Sequence, residues 1–142
     1  MPMNATFDTN VLMSGIFFGG VPGRVLEAWR DACFKWFVTS DIIDEYREVS
    51  ERLHLKIPRI DPREWIALIE DEATSVVPEW LKEPVCEDPD DDKFVECALA
   101  SNATIVSGDH HLLDANGQRG ICVKKPREFL NDLSPDIGSV CP

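Results

Sequence analysis

Two apolar runs in this sequence lead into an aspartate. Ala5-Thr6-Phe7 ends in Asp8, and Thr104-Ile105-Val106-Ser107 reaches Asp109 after one glycine. An aspartate just ahead of a helix can simply accept a backbone N–H as its cap. Two of them at one edge of one sheet allow a second reading, a shared carboxylate site. Glu45 adds a third acid. On the helix opened by Ser40 the apolar stripe is Ile42, Tyr46, Val49 and Leu53, and Glu45 flanks it, whereas Asp44, Glu48 and Glu51 point away. A carboxylate beside a core needs donors or a cation to stay ionised, and a salt bridge to an arginine would serve as well as a metal. The fourth acid lies in Asp88-Pro89-Asp90-Asp91-Asp92. Negative charge suits a helix N-terminus without further purpose. Yet Phe94, Val95 and Ala98 mark the buried side of the following helix, and the helical period puts Asp91 nearest the middle of that stripe. Asp90 and Asp92 fall on its flanks, and Asp92 is the alternative to Asp91.

Asp8, Glu45, Asp91 and Asp109 drawn around one sheet edge would repel one another strongly unless protons or cations compensate them. Carboxylate oxygens are hard ligands, and no histidine or cysteine cluster accompanies them. That selects Mg²⁺ or Mn²⁺ over zinc. Divalent ions on carboxylates carry out phosphoryl chemistry: they polarise the phosphate, lower the pKa of water and stabilise the leaving oxygen.

Such a site requires elements that bring distant acids together. Short apolar runs at 5–7, 35–39, 74–77, 104–107 and 120–123 read as strands. Between them, helical spacing or helix-start signals cover 9–18, 24–33, 40–53, 61–73, 90–101, 109–113 and 126–130. The segment Gly19-Gly20-Val21-Pro22-Gly23 reads as a break, and Ser40 as an N-cap. Strands that are continuously apolar and alternate with helices predict an α/β fold, a three-layer sandwich around a central, mainly parallel sheet of about five short strands. Functional groups in such folds collect beyond the carboxyl ends of the strands. No repeat or domain boundary interrupts residues 1–142, which read as a single domain with an irregular tail from about residue 134.

Composition narrows the function classes. The chain has 142 residues with 26 Asp plus Glu against 14 Lys plus Arg, a formal charge of -12. It has no overall basic attraction for a polyanion or an anionic membrane, so nucleic acid must be met through local basic groups, cations or a basic partner. The most apolar stretch, Val11 to Val21, is too short to span a bilayer, and the N-terminus lacks a signal-peptide pattern, which points to a cytoplasmic protein. Five cysteines without a C-x-x-C pair suggest mostly reduced thiols.

The ordered set Phe7-Asp8-Thr9-Asn10-Val11-Leu12, Asp44-Glu45-Tyr46, Asp88 to Phe94, Ser107-Gly108-Asp109 and Pro126 to Leu130 resembles the PIN-domain family. It is most similar to the branch described as toxin components of toxin–antitoxin systems. The resemblance implies a flavodoxin-like sandwich and a metal-dependent endoribonuclease acting on single-stranded RNA with Mg²⁺ or Mn²⁺. It places the acidic site on Asp8, Glu45, Asp91 and Asp109, with Asn10 and Ser107 as supporting polar groups. It also implies a cognate antitoxin that inserts a basic side chain among the acids, and homodimers, for which apolar helix surface such as that around Trp29 is a candidate. A non-toxin RNA-processing nuclease is an alternative.

Two rivals share the strand-end acids. A receiver-like signalling module would take phosphate on one aspartate, but it calls for an acidic pair after the first strand, where this chain has Asp8 alone. A phosphatase of the haloacid-dehalogenase type calls for an aspartate where Asn10 stands. His110 and His111 read as an exposed pair rather than as catalytic groups. Trp29 and Trp36 read as core, and Trp80 as exposed. Arg24, Lys93 and Lys124-Lys125 are candidate phosphate contacts.

Overall fold

A computed structural model describes residues 3–133. In chain order they form β1 (Met3–Phe7), α1 (Thr9–Phe17), α2 (Gly20–Arg30), β2 (Phe34–Val38), α3 (Ser40–Lys56), α4 (Arg63–Glu72), β3 (Thr74–Ser75), α5 (Asp92–Ser101), β4 (Thr104–Val106), α6 (His110–Leu113), β5 (Val123–Lys124) and α7 (Pro126–Leu133). The five strands make one parallel sheet in the order β3-β2-β1-β4-β5. The expected α/β sandwich is therefore present. The chain winds outward from β1 through β2 and β3, then returns to place β4 on the other side of β1. That reversal opens a crevice beyond the carboxyl ends of β1 and β4, where such sheets hold their ligands.

Aromatic packing fixes the sheet centre. Phe7 stands edge-on to Phe34, Trp36 and Phe129, and Trp36 meets both Trp29 of α2 and Tyr46 of α3. Edge-to-face pairs at these spacings are the favoured arrangement of aromatic quadrupoles. The Tyr46 hydroxyl donates to the Phe7 carbonyl at 2.5 Å, tying α3 to the last residue of β1. This bond sets the height of Glu45, the neighbouring residue, against Asp8. Trp29 and Trp36 are core as expected, and Trp80 is exposed.

Several boundaries differ from those the sequence predicts. Gly19 to Gly23 does not break the chain for long: α2 starts at Gly20, because Pro22 sits in the first turn, where its missing N–H has no partner to lose. Gly19 and Gly20, both at positive φ, make the corner itself. Close α1–α2 packing requires Gly15, where an added Cβ would stand 2.6 Å from Leu26 Cδ1. Thr39, not Ser40, caps α3, its side chain accepting from Ile42 N–H. The edge strand β3 ends at Ser75, since it pairs on one side only and Pro78 follows. β5 begins at Val123 rather than Gly120, which is taken into a turn at φ +80. The expected irregular tail from residue 134 lies outside the described residues. Among the described residues no single helix is long and apolar enough to cross a membrane; α1 and α2 together are, but they bend by 95°.

Candidate metal centre

Asp8 leaves β1 at the crevice and is almost completely buried, at 4% exposure. One carboxylate oxygen accepts from Val11 N–H at 2.8 Å, so the residue does cap α1. The other takes the Ser107 hydroxyl. Burial pushes the Asp8 carboxyl up from 3.8 to about 6, and the charges of Asp109 and Glu45 push the same way; the bonds from Ser107 and Val11 oppose this. Ser107, fully buried at the end of β4, also accepts from Asp109 N–H at 2.9 Å. One hydroxyl thus ties the two strand-end acids together.

Asp109 caps α6 by accepting from His111 N–H at 2.9 Å. Asp91 approaches from the opposite wall, at the end of a short 3-10 turn, Pro89–Asp91. Burial raises its carboxyl from 3.8 to about 6, followed by repulsion from Asp109, Asp88 and Asp8, while His111 acts in the opposite sense. One ligand atom each from Asp91, Asp109 and His111 lie within 4.8 Å of one another. Among the described residues no lysine or arginine forms an ion pair with Asp8, Asp91 or Asp109. Mutual repulsion without a lysine or arginine partner is the state that protons or a bound cation would relieve. The carboxylate oxygens suit a divalent ion of the Mg²⁺ or Mn²⁺ kind.

Of the remaining candidates, Asp92 is the one whose burial differs from the sequence reading. Asp92, the alternative to Asp91, turns inward and accepts from Cys86 N–H at 2.8 Å and Val85 N–H at 3.2 Å. It anchors the loop before α5. The intervening 3-10 turn advances each residue by more than an α-helical step, which shifts the buried phase from Asp91 to Asp92. Asp90 is exposed and lies 3.4 Å from Lys93. Glu45 is met by Lys93 Nζ at 2.6 Å and by the Thr9 hydroxyl, so the cation it requires is a lysine of its own chain. Lys93 is accordingly committed to Glu45 and Asp90, not left free for phosphate. Asn10 is exposed and lines a groove with Ser14, Gly108, Asp109 and Pro126.

Thr9 is a residue at the site that the sequence reading did not single out, and His111, read there as exposed, is half-buried. His111 stands two positions beyond a capping aspartate, and that spacing folds its ring back toward the cap. Its neighbour His110 is exposed, as expected for both.

The chain matches the PIN domain family over residues 4–111, a stretch that contains all four acids and ends on His111. It is also 23% identical to the uncharacterized protein MJ1680 of Methanocaldococcus jannaschii, over 95% of this chain and 94% of that protein.

Proposed function

The chain belongs to the PIN-domain family, whose members are generally nucleases, and from that premise we propose a metal-dependent endoribonuclease acting on single-stranded RNA. The observation that carries this reading is the convergence of Asp8, Asp91 and Asp109 at the sheet's switch point with no lysine or arginine paired to them among the described residues. Asp91 and Asp109 are the groups to hold Mg²⁺ or Mn²⁺, with Asp8 adding charge from beneath. When bound, such an ion neutralises phosphate charge and polarises the scissile phosphodiester and its attacking water.

The chain's own residues prepare that chemistry. Ser107 holds the Asp8 and Asp109 ends in fixed register. Lys93 and Thr9 hold Glu45 beside the site, where its charge acts on Asp8. Asn10 stands on the open rim with an amide for a substrate's phosphate or sugar. A phosphoacceptor role is disfavoured, because both oxygens of buried Asp8 are engaged, by Val11 N–H and Ser107.

The toxin role and its partners extend the proposal. The similarity to toxin components supports a cognate antitoxin that places an arginine or lysine between Asp91 and Asp109, since both are part-exposed and, among the described residues, neither pairs with a lysine or arginine. Bidentate pairing with two carboxylates would replace the cation and block RNA together. The same similarity supports a homodimer. The test is cleavage of a labelled single-stranded RNA with Mg²⁺, with Mn²⁺ and with chelator. Cleavage that needs the ion and vanishes in Asp8→Asn is expected; chelator-resistant cleavage, or no cleavage of any RNA, refutes the reading. Unchanged growth and cellular RNA after inducing the protein alone would remove the toxin role and leave an RNA-processing nuclease.

A further inference from the structure

The side chain this proposal does not use is His111. Its ring lies over the same crevice as Asp91 and Asp109, and its Nδ1 stands 3.8 Å from Asp109 Oδ1. The opposite ring nitrogen, Nε2, stands 3.6 Å from the Glu87 carboxylate. The His111 ring is largely sheltered, with 29% side-chain exposure, whereas the adjacent His110 has 78%. Two features therefore coincide on one residue. One ring nitrogen faces the carboxylates of the cation site, and the other faces a carboxylate outside it. That is the arrangement of a metal-bound histidine, whose second nitrogen donates to an outer carboxylate that fixes the tautomer and raises ligand basicity.

We propose that His111 is a protein ligand of the divalent ion, completing an Asp91–Asp109–His111 set, with Glu87 positioning the ring. The inference rests on the nuclease reading of the site and specifies its metal. An imidazole adds little for Mg²⁺, which prefers oxygen ligands and keeps its waters, but it favours first-row transition ions. The site therefore discriminates in favour of Mn²⁺ over Mg²⁺.

The test is binding of the metal alone to the full chain. Calorimetric titration should give at least about a tenfold lower Kd for Mn²⁺ than for Mg²⁺, and His111→Ala should weaken Mn²⁺ binding about 10- to 100-fold while changing Mg²⁺ affinity far less. Pulsed electron paramagnetic resonance of the Mn²⁺-loaded protein should show a ¹⁴N coupling in the wild type and in His110→Ala that is lost in His111→Ala. Glu87→Gln, at an exposed side chain, keeps the ¹⁴N coupling and weakens Mn²⁺ binding several-fold, which covers the case of a poorly folded His111→Ala. A coupling that survives in His111→Ala, or Mn²⁺ affinity unaffected by both substitutions, overturns the histidine ligand and leaves a carboxylate-bound metal nuclease standing. A wild-type chain that binds neither ion overturns both.

Discussion

Asp8→Asn should make the metal-free protein more stable while abolishing cleavage. In the unfolded chain this carboxyl ionises near 3.8, and in the folded chain near 6. Between those values the folded state holds a proton that the unfolded state has released, so stability falls as pH rises through the window and is level above it. A gap of about two pH units at ~1.36 kcal/mol each corresponds to ~3 kcal/mol, fully expressed above about pH 7. Asp8 is 4% exposed, so solvent screening removes little of this. Asparagine keeps an acceptor for Val11 N–H but leaves the Ser107 hydroxyl to find a new acceptor, a cost of ~1 kcal/mol. The expected balance is a gain of ~2 kcal/mol, or roughly 5–8 °C in Tm for a domain of this length.

The assay is thermal unfolding of both proteins in chelator at pH 7.5 and pH 4.5. At the lower pH the folded wild type is mostly protonated at Asp8, so most of the difference should close. An asparagine variant that is less stable at pH 7.5, or an advantage of equal size at both values, would refute the claim that buried negative charge is held at this position.

Asp92→Ala removes the acceptor for two backbone N–H groups and should cost ~2–3 kcal/mol in chemical denaturation, whereas Asp91→Asn, which removes a raised but part-exposed carboxylate, should raise the stability of the metal-free chain by less than Asp8→Asn does and should weaken metal binding in the same calorimetric titration. The reverse pattern would make Asp92 the ligand. A double-mutant cycle on Lys93→Met and Glu45→Gln should give a coupling of ~1 kcal/mol, above that of an exposed pair because both side chains are mostly sheltered; zero coupling would show that the pair does not hold Glu45. Finally, the inactive Asp8→Asn protein should bind single-stranded RNA more tightly with Mn²⁺ than without it, by fluorescence anisotropy at fixed ionic strength. Equal affinities would show that basic surface groups carry RNA binding instead.

The legible part of this site follows from topology. Parallel strands joined by helices all point the same way, so acids that directly follow two strand-like runs must gather at one edge. Asp8, Ser107 and Asp109 follow from that alone. Glu45 was legible as a group beside the core because the helical period is accurate over the 17 residues of α3. Its partner was not, because Lys93 lies 48 positions away and only packing brings them together. The burial of Asp92 rather than Asp91 turned on a local irregularity: one 3-10 turn changes the angle per residue, and an extrapolated helical wheel then selects the wrong neighbour for burial. The inward direction of His111 escaped because a four-residue helix carries no periodic signal, so that direction depends on how Asp109 caps it.

The charge pattern makes the bound cation central to more than one step. With 26 acidic against 14 Lys plus Arg residues, the surface as a whole repels phosphate. Lys93, the basic side chain that reaches the site's margin, is held by Glu45 and Asp90. Asp8 and Asp91 are meanwhile pushed up to about 6, so at neutral pH they are ionised against a local preference for protonation. An apo site of this kind is destabilised by its own charge and unattractive to RNA. A divalent ion relieves the first condition and reverses the second at the same place. Stability, substrate attraction and cleavage should therefore all rise over one range of metal concentration, and a chain whose Tm responds to Mn²⁺ at concentrations far from those that support cleavage would separate the binding site from the catalytic one.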